Sequence, residues 1–126
     1  MPLCVLIVED EPLIAMDLRD IIEEAGHEVA GVATRMSEAL TVASEHPLDV
    51  AIMDYNIAGH HNGVDVARRL REEYGIGSLF VSASINDRLR AMAAEWSPVG
   101  FIGKPFIAQQ IVKALSSVEA RLSSKD

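Results

Sequence analysis

Five short apolar runs rich in β-branched residues recur along this chain, at Leu3 to Val8, Val29 to Ala33, Val50 to Met53, Leu79 to Ser82 and Val99 to Ile102, each of strand length. Helical periods lie between them. Ile14, Leu18, Ile21, Ile22 and Ala25 share one face of a helix that opens at Pro12, a favoured first position, and stops at Gly26, a favoured residue at a helix end. Ile107, Ile111, Ala114, Leu115, Val118 and Leu122 hold the same spacing almost to the terminus. The remaining helices are expected at about Met36 to Glu45 before Pro47, Gly63 to Tyr74 before Gly75, and Asn86 to Glu95 before Pro98. Strand and helix thus alternate five times. That order predicts an α/β fold, a doubly wound five-stranded parallel sheet with five helices on its two faces, joined by right-handed crossovers. The first and third runs are continuously apolar, as central strands covered on both faces require.

A chain of 126 residues fills one core and leaves no room for a second, so residues 1–126 are read as one domain. Its formal net charge of -8 opposes sequence-independent attraction to nucleic acid or anionic lipid, both of which need a surplus of Lys and Arg. Neither is expected as a partner. The single cysteine, Cys4, allows no internal disulfide and is expected as a small buried core residue in a reducing compartment. The run around it is too short to span a membrane and lacks the basic flank and cleavage site of a signal peptide. These features point to the cytoplasm.

Ligands of open α/β sheets sit beyond the carboxyl ends of the strands. Glu9, Asp10 and Glu11 follow the first strand, Asp54 the third, Ser82 closes the fourth, and Lys104-Pro105 follows the fifth. Glu9, Asp10 and Asp54, crowded at the mouth of an apolar sheet, repel one another and take up protons unless a cation sits among them. A ligand set of oxygen atoms alone favours Mg²⁺, or Mn²⁺ of the same preference, over zinc or copper. Beside such an ion Asp54 stays ionised and can attack phosphorus as a carboxylate nucleophile. Lys104 and Ser82 then supply a positive charge and a hydroxyl donor to the phosphoryl oxygens.

These residues resemble the receiver domains of bacterial two-component response regulators, of the single-domain, chemotaxis-regulator-like kind. The resemblance rests on Val8-Glu9-Asp10-Glu11, Met53-Asp54, Phe80-Val81-Ser82-Ala83 and Gly103-Lys104-Pro105-Phe106, four motifs in order over nearly the whole chain. It implies the strand order 2-1-3-4-5. It also implies Asp54 as phosphoryl acceptor, Asp10 as direct metal ligand, Glu9 as holder of metal-bound water, and Asn56 as a ligand through its main-chain carbonyl. Ser82 and Lys104 would bind the phosphoryl group, the small Ala83 would keep its approach open, and Lys104-Pro105 would be cis. Phe101 stands at the family's aromatic switch position and works with Ser82. Its lack of a hydroxyl leaves steric gating only. Glu9 replaces the more usual Asp, adding one methylene at equal charge, and Ser84 stands where the family tunes dephosphorylation.

The implied function is that of a receiver. A phosphoryl group passes from a histidine kinase or histidine phosphotransfer protein to Asp54, catalysed by the receiver itself, and a changed surface of helix four, strand five and helix five signals to a downstream protein or a second copy. Two rivals stand beside it. A metal-dependent phosphatase with an Asp nucleophile usually carries a second Asp two residues on, where this chain has Asn56. An unphosphorylated interaction module of the same fold would have no use for the retained acids, Ser82 and Lys104.

Each motif taken singly has a plainer reading. Glu9-Asp10-Glu11 before Pro12 suits a helix cap; Asp54 and Lys104 suit solvated loop charges. Their joint placement at one rim reverses that. His60-His61 resembles a metal pair, but adjacent loop residues seldom turn both rings to one ion, and no third ligand of that type is near. His27 and His46 are expected to be exposed. Gly75-Ile76-Gly77 precedes a strand, the wrong order for a phosphate cradle, and is read as a connection. Arg68, Arg69 and Arg71 with Glu72 and Glu73 read as a solvated helix face.

Overall fold

The computed structural model describes residues 2–124. Five strands, β1 (Cys4–Val8), β2 (Glu28–Ala33), β3 (Val50–Met53), β4 (Gly77–Ser82) and β5 (Gly100–Gly103), alternate with five helices. These are α1 (Pro12–Glu24), α2 (Met36–Glu45), α3 (Gly63–Tyr74), α4 (Asp87–Ala94) and α5 (Ala108–Ser123). The strands pair in parallel in the order β2-β1-β3-β4-β5. Fold class and strand order agree with the expectation; β3, α2 and α3 have the expected bounds, and the other element ends differ by at most two residues.

Side chains alternate across the sheet and build two cores. Val5, Ile7, Ile52, Leu79 and Val81 meet Leu18 and Ile22 of α1 and Ile111 and Leu115 of α5. Leu6, Val8, Met53 and Phe80 meet Ala39 and Ala43 of α2, Leu70 of α3 and Leu89 of α4. Both faces of β3 and β4 are therefore buried, which is why their sequences run apolar without a break.

Helix ends obey local chemistry. Gly26 holds a left-handed φ of 89°, and the N–H groups of Gly26 and His27 close on the carbonyls of Glu23 and Ile22, satisfying two orphan acceptors of α1. Asn62 and Asp65 form a reciprocal capping box at the start of α3. Asn86 caps α4 through the N–H of Leu89.

Three expectations need correction. Cys4 is half-buried, because the first residue of β1 lies at the sheet's end. His27 is half-buried too: its Nδ1 accepts the N–H of Leu3 at 2.9 Å, a tertiary contact that no local pattern announces. His46 is exposed, as expected. Arg68 and Arg69 pair with Glu72 and Glu73 on a solvated face, but Arg71 does not join them. Its guanidinium donates to the carbonyls of Trp96 at 3.2 Å, Ser97 at 2.9 Å and Gly75 at 3.2 Å, tying the end of α3 to the loop before β5.

Candidate functional site

Register delivers the site. Val8 pairs with Met53 across β1 and β3, and the N–H of Asp54 donates to the carbonyl of Val8 at 3.0 Å, so Glu9 and Asp54 leave the sheet side by side. Ser82 pairs with Gly103, and the N–H of Lys104 donates to the Ser82 carbonyl at 3.1 Å. The ammonium of Lys104 then reaches Glu9 Oε1 at 2.7 Å and Asp54 Oδ2 at 2.9 Å. Glu9 is 2% exposed and Asp54 6%.

The other oxygens of both acids are also engaged. Asp54 Oδ1 accepts the N–H of Tyr55 at 2.7 Å, and Glu9 Oε2 accepts the N–H of Glu11 at 3.1 Å. Asp10 is exposed and has no partner among the described residues. Burial raises the pKa of Glu9, assisted by the charge of Asp54, against the hydrogen bonds from Lys104 and Glu11 that lower it. Burial works to lower Lys104, but its bonds to Glu9 and Asp54 outweigh that and hold it above the usual lysine value.

Glu9, Asp10 and Asp54 each offer a carboxylate oxygen within 4.8 Å of the others. Three carboxylates face one ammonium, so the cluster retains negative charge. An all-oxygen, anionic donor set of this size fits a hard divalent cation and does not suit zinc or copper. Asp10, Pro12, Asp54, Asn56, Ala83 and Lys104 line a cleft of about 450 Å³ above it.

The expected site residues divide accordingly. Glu9, Asp10, Asp54 and Lys104 converge, and Asn56 stands on the cleft wall with its Nδ2 donating to Ser84 Oγ at 3.1 Å. Ser82 is buried at the end of β4, where its Oγ accepts the N–H of Ser84 at 3.2 Å, and Ala83 is the cleft-lining residue there. Phe101 lies outside the cleft, stacked on Phe80 with centroids 5.6 Å apart. The Glu11 side chain makes no capping bond to α1; the main-chain N–H of Glu11 anchors Glu9 instead. The Lys104-Pro105 peptide is cis. His60 and His61 belong to no metal-ligand group among the described residues. Sequence reasoning missed Gly63, whose backbone packs on Asp54, and Arg90, which covers Phe101.

Residues 5–116 match the family described as the response regulator receiver domain. The chain belongs to that family. It is 35% identical over 113 residues to the phyllosphere-induced regulator PhyR of Methylorubrum extorquens, covering 89% of this chain and 42% of PhyR. It is also 35% identical over 117 residues to the chemotaxis protein CheY of Thermotoga maritima, covering 90% of this chain and 95% of CheY. The chain therefore spans less than half of PhyR and nearly all of CheY. Among solved structures, the signal receiver domain of a modulated diguanylate cyclase from Desulfovibrio desulfuricans superposes with a TM-score of 0.90 at 28% identity, covering both chains completely. Receiver domains are generally non-enzymatic signalling modules, and the acidic group of this receiver is compatible with Mg²⁺. No helix among the described residues is long and apolar enough to cross a membrane.

Proposed function

We propose that residues 1–126 form one receiver domain and that Asp54 is its phosphoryl acceptor. One observation carries this reading: Asp54 is a buried carboxylate at a strand end, fixed by Tyr55 N–H and Lys104 and open to a cleft that also holds Asp10. The donor is a phosphohistidine of a histidine kinase or histidine phosphotransfer protein. The P–N bond breaks as an O–P bond forms on the Asp54 carboxylate, and the ring nitrogen keeps the bonding pair and takes up a proton. The receiver promotes this transfer to itself and turns over no outside substrate, in keeping with Asn56 where a phosphatase would carry a second acid.

Glu9, Asp10, Asp54 and the main-chain carbonyl of Asn56 would hold Mg²⁺ or Mn²⁺, which supplies charge neutralisation for the transferring group. Lys104 exchanges its bond to Asp54 for one to a phosphoryl oxygen, and the Ser82 hydroxyl donates to another. Moving Ser82 draws on the loop that leads into α4, and Phe101 responds beside it. A phosphoryl group shifts such a two-state balance only through its differential affinity for the two states. The α4-β5-α5 surface then addresses a downstream protein or a second copy of the chain. The setting is cytoplasmic.

The test is intact mass after incubation with acetyl phosphate, with Mg²⁺ and with chelator, for wild type and Asp54→Ala. A Mg²⁺-dependent gain of about 80 Da in the wild type alone is expected, the mass of one phosphoryl group. An undiminished gain in Asp54→Ala overturns the acceptor assignment.

A further inference from the structure

Gly63, the first residue of α3, is placed where no other amino acid fits. A Cβ built on it would stand 1.9 Å from the main-chain carbonyl oxygen of Asp54, 2.8 Å from that carbonyl carbon and 3.0 Å from the Cα of Tyr55. All three are backbone atoms, so no side-chain rotation relieves the clash. The reason for the glycine is close approach, since Gly63 is absent from the residues of positive φ. Its N–H donates to the carbonyl of Tyr55 at 2.8 Å, which closes the loop 55–62 at its base. The capping box of Asn62 and Asp65 fixes the first turn of α3 on the other side.

The stretch held in this way is the stretch that carries the chemistry. Asp54 and Asn56 flank Tyr55, whose own N–H holds Asp54 Oδ1. Displacing Gly63 therefore rotates the Asp54 and Tyr55 peptides. That moves the Asp54 carboxylate relative to Lys104 and Asp10, and carries Asn56 with it.

We infer that Gly63 is a positioning residue for the acceptor: the start of α3, seated directly on the Asp54 carbonyl, sets the aim of the Asp54 carboxylate and the divalent-cation affinity of the acidic group. The inference rests on the acceptor reading of Asp54. Misplacing a reacting group by about 1 Å costs about 10²-fold in rate, and one methyl group at 1.9 Å forces a shift of that order.

The experiment compares wild type with Gly63→Ala, Asn62→Ala and Gly77→Ala. The last is a crowding control: a Cβ there meets the flexible Arg71 guanidinium at 2.8 Å and Val99 at 3.1 Å, far along the chain from the acids. Mg²⁺ dissociation constants are read by calorimetry, phosphorylation rates by mass with acetyl phosphate, and folding by circular dichroism. Gly63→Ala should weaken Mg²⁺ binding at least about tenfold and slow phosphorylation by about 10²-fold. Asn62→Ala, which loosens the same turn without a clash, should weaken Mg²⁺ binding about two- to fivefold, the upper figure being the factor to which the typical loss of one whole cap converts. Gly77→Ala should leave both unchanged. Mg²⁺ affinity and rate at wild-type level in a folded Gly63→Ala overturn the inference. Should Gly63→Ala not fold, unchanged Mg²⁺ affinity in Asn62→Ala overturns it. A wild type that binds Mg²⁺ but gains no phosphoryl group refutes the acceptor reading instead, and with it the inference.

Discussion

The guanidinium of Arg90 lies over the ring of Phe101, 4.7 Å from its centroid, and the same ring stacks on Phe80 at an interplanar angle of 15°. Arg90 is exposed on α4, whereas Phe101 is half-buried on β5, so this contact joins the helix to the edge strand. A guanidinium over a ring at a site of this exposure contributes about 0.5–1 kcal/mol. A double-mutant cycle of Arg90→Met and Phe101→Leu, read by chemical denaturation, should return a coupling energy of that size. A coupling of zero removes the contact from any account of how α4 and β5 move together.

Arg71 holds three main-chain carbonyls, and two of them flank Ser97, which carries a left-handed φ of 51°. Arg71→Ala leaves these acceptors to water and should cost about 2 kcal/mol, the range for bonds from a charged donor. Lysine is no substitute, because a single ammonium cannot reproduce the planar fork. Hydrogen exchange should accelerate at Trp96 and Val99, whose N–H groups donate to the carbonyls of Ala93 and Ser78, in both Arg71→Ala and Arg71→Lys. Protection of those amides at wild-type level in Arg71→Lys contradicts the fork argument.

The carboxylate of Glu38, in the first turn of α2, accepts both the N–H and the hydroxyl of Thr34 at 2.7 Å. These bonds, the backbone one first, hold its pKa below the usual glutamate value. A group whose folded pKa is depressed adds stability above its unfolded pKa, about 4.3, and loses it as pH falls through the folded value. Glu38 is solvent-screened, so Glu38→Gln should cost at most about 1 kcal/mol at pH 7. The difference from wild type should shrink on acidification below about pH 4. A difference that grows in acid has the wrong sign for this account.

The fold was largely legible because its signals are periodic and local. Each strand is a short apolar run, and Pro12, Gly26 and Gly75 mark helix ends by chemistry that acts within a few residues. Strand order was different in kind: alternation predicts a parallel sheet, but 2-1-3-4-5 came from the family resemblance. Glu9, Asp10, Asp54 and Lys104 were legible as a group because every parallel strand delivers its carboxyl end to the same rim. What escaped was tertiary. Arg71 sits in a run of arginines and glutamates that reads as a solvated face, and only the fold brings Trp96 and Ser97 to it. Gly63 reads as an ordinary helix start until the Asp54 carbonyl is seen against it.

Asp10 differs from the other two acids of the cluster in a way that can be measured. Glu9 and Asp54 are buried and bound to Lys104, whereas Asp10 is exposed and has no partner among the described residues. Its charge therefore stabilises nothing in the metal-free fold and adds to the repulsion within 4.8 Å of Glu9 and Asp54. In chelator, Asp10→Asn should be as stable as wild type or slightly more so, within about 0.5 kcal/mol. With Mg²⁺ the order should reverse. A cation that binds only the folded chain adds about 2.7 kcal/mol at a hundredfold excess over its dissociation constant, and Asp10→Asn should forfeit most of that gain. Thermal unfolding of both proteins, with Mg²⁺ and with chelator, measures the four states. Loss of stability by Asp10→Asn in chelator would assign Asp10 to the fold, whereas loss confined to Mg²⁺ assigns it to the ion.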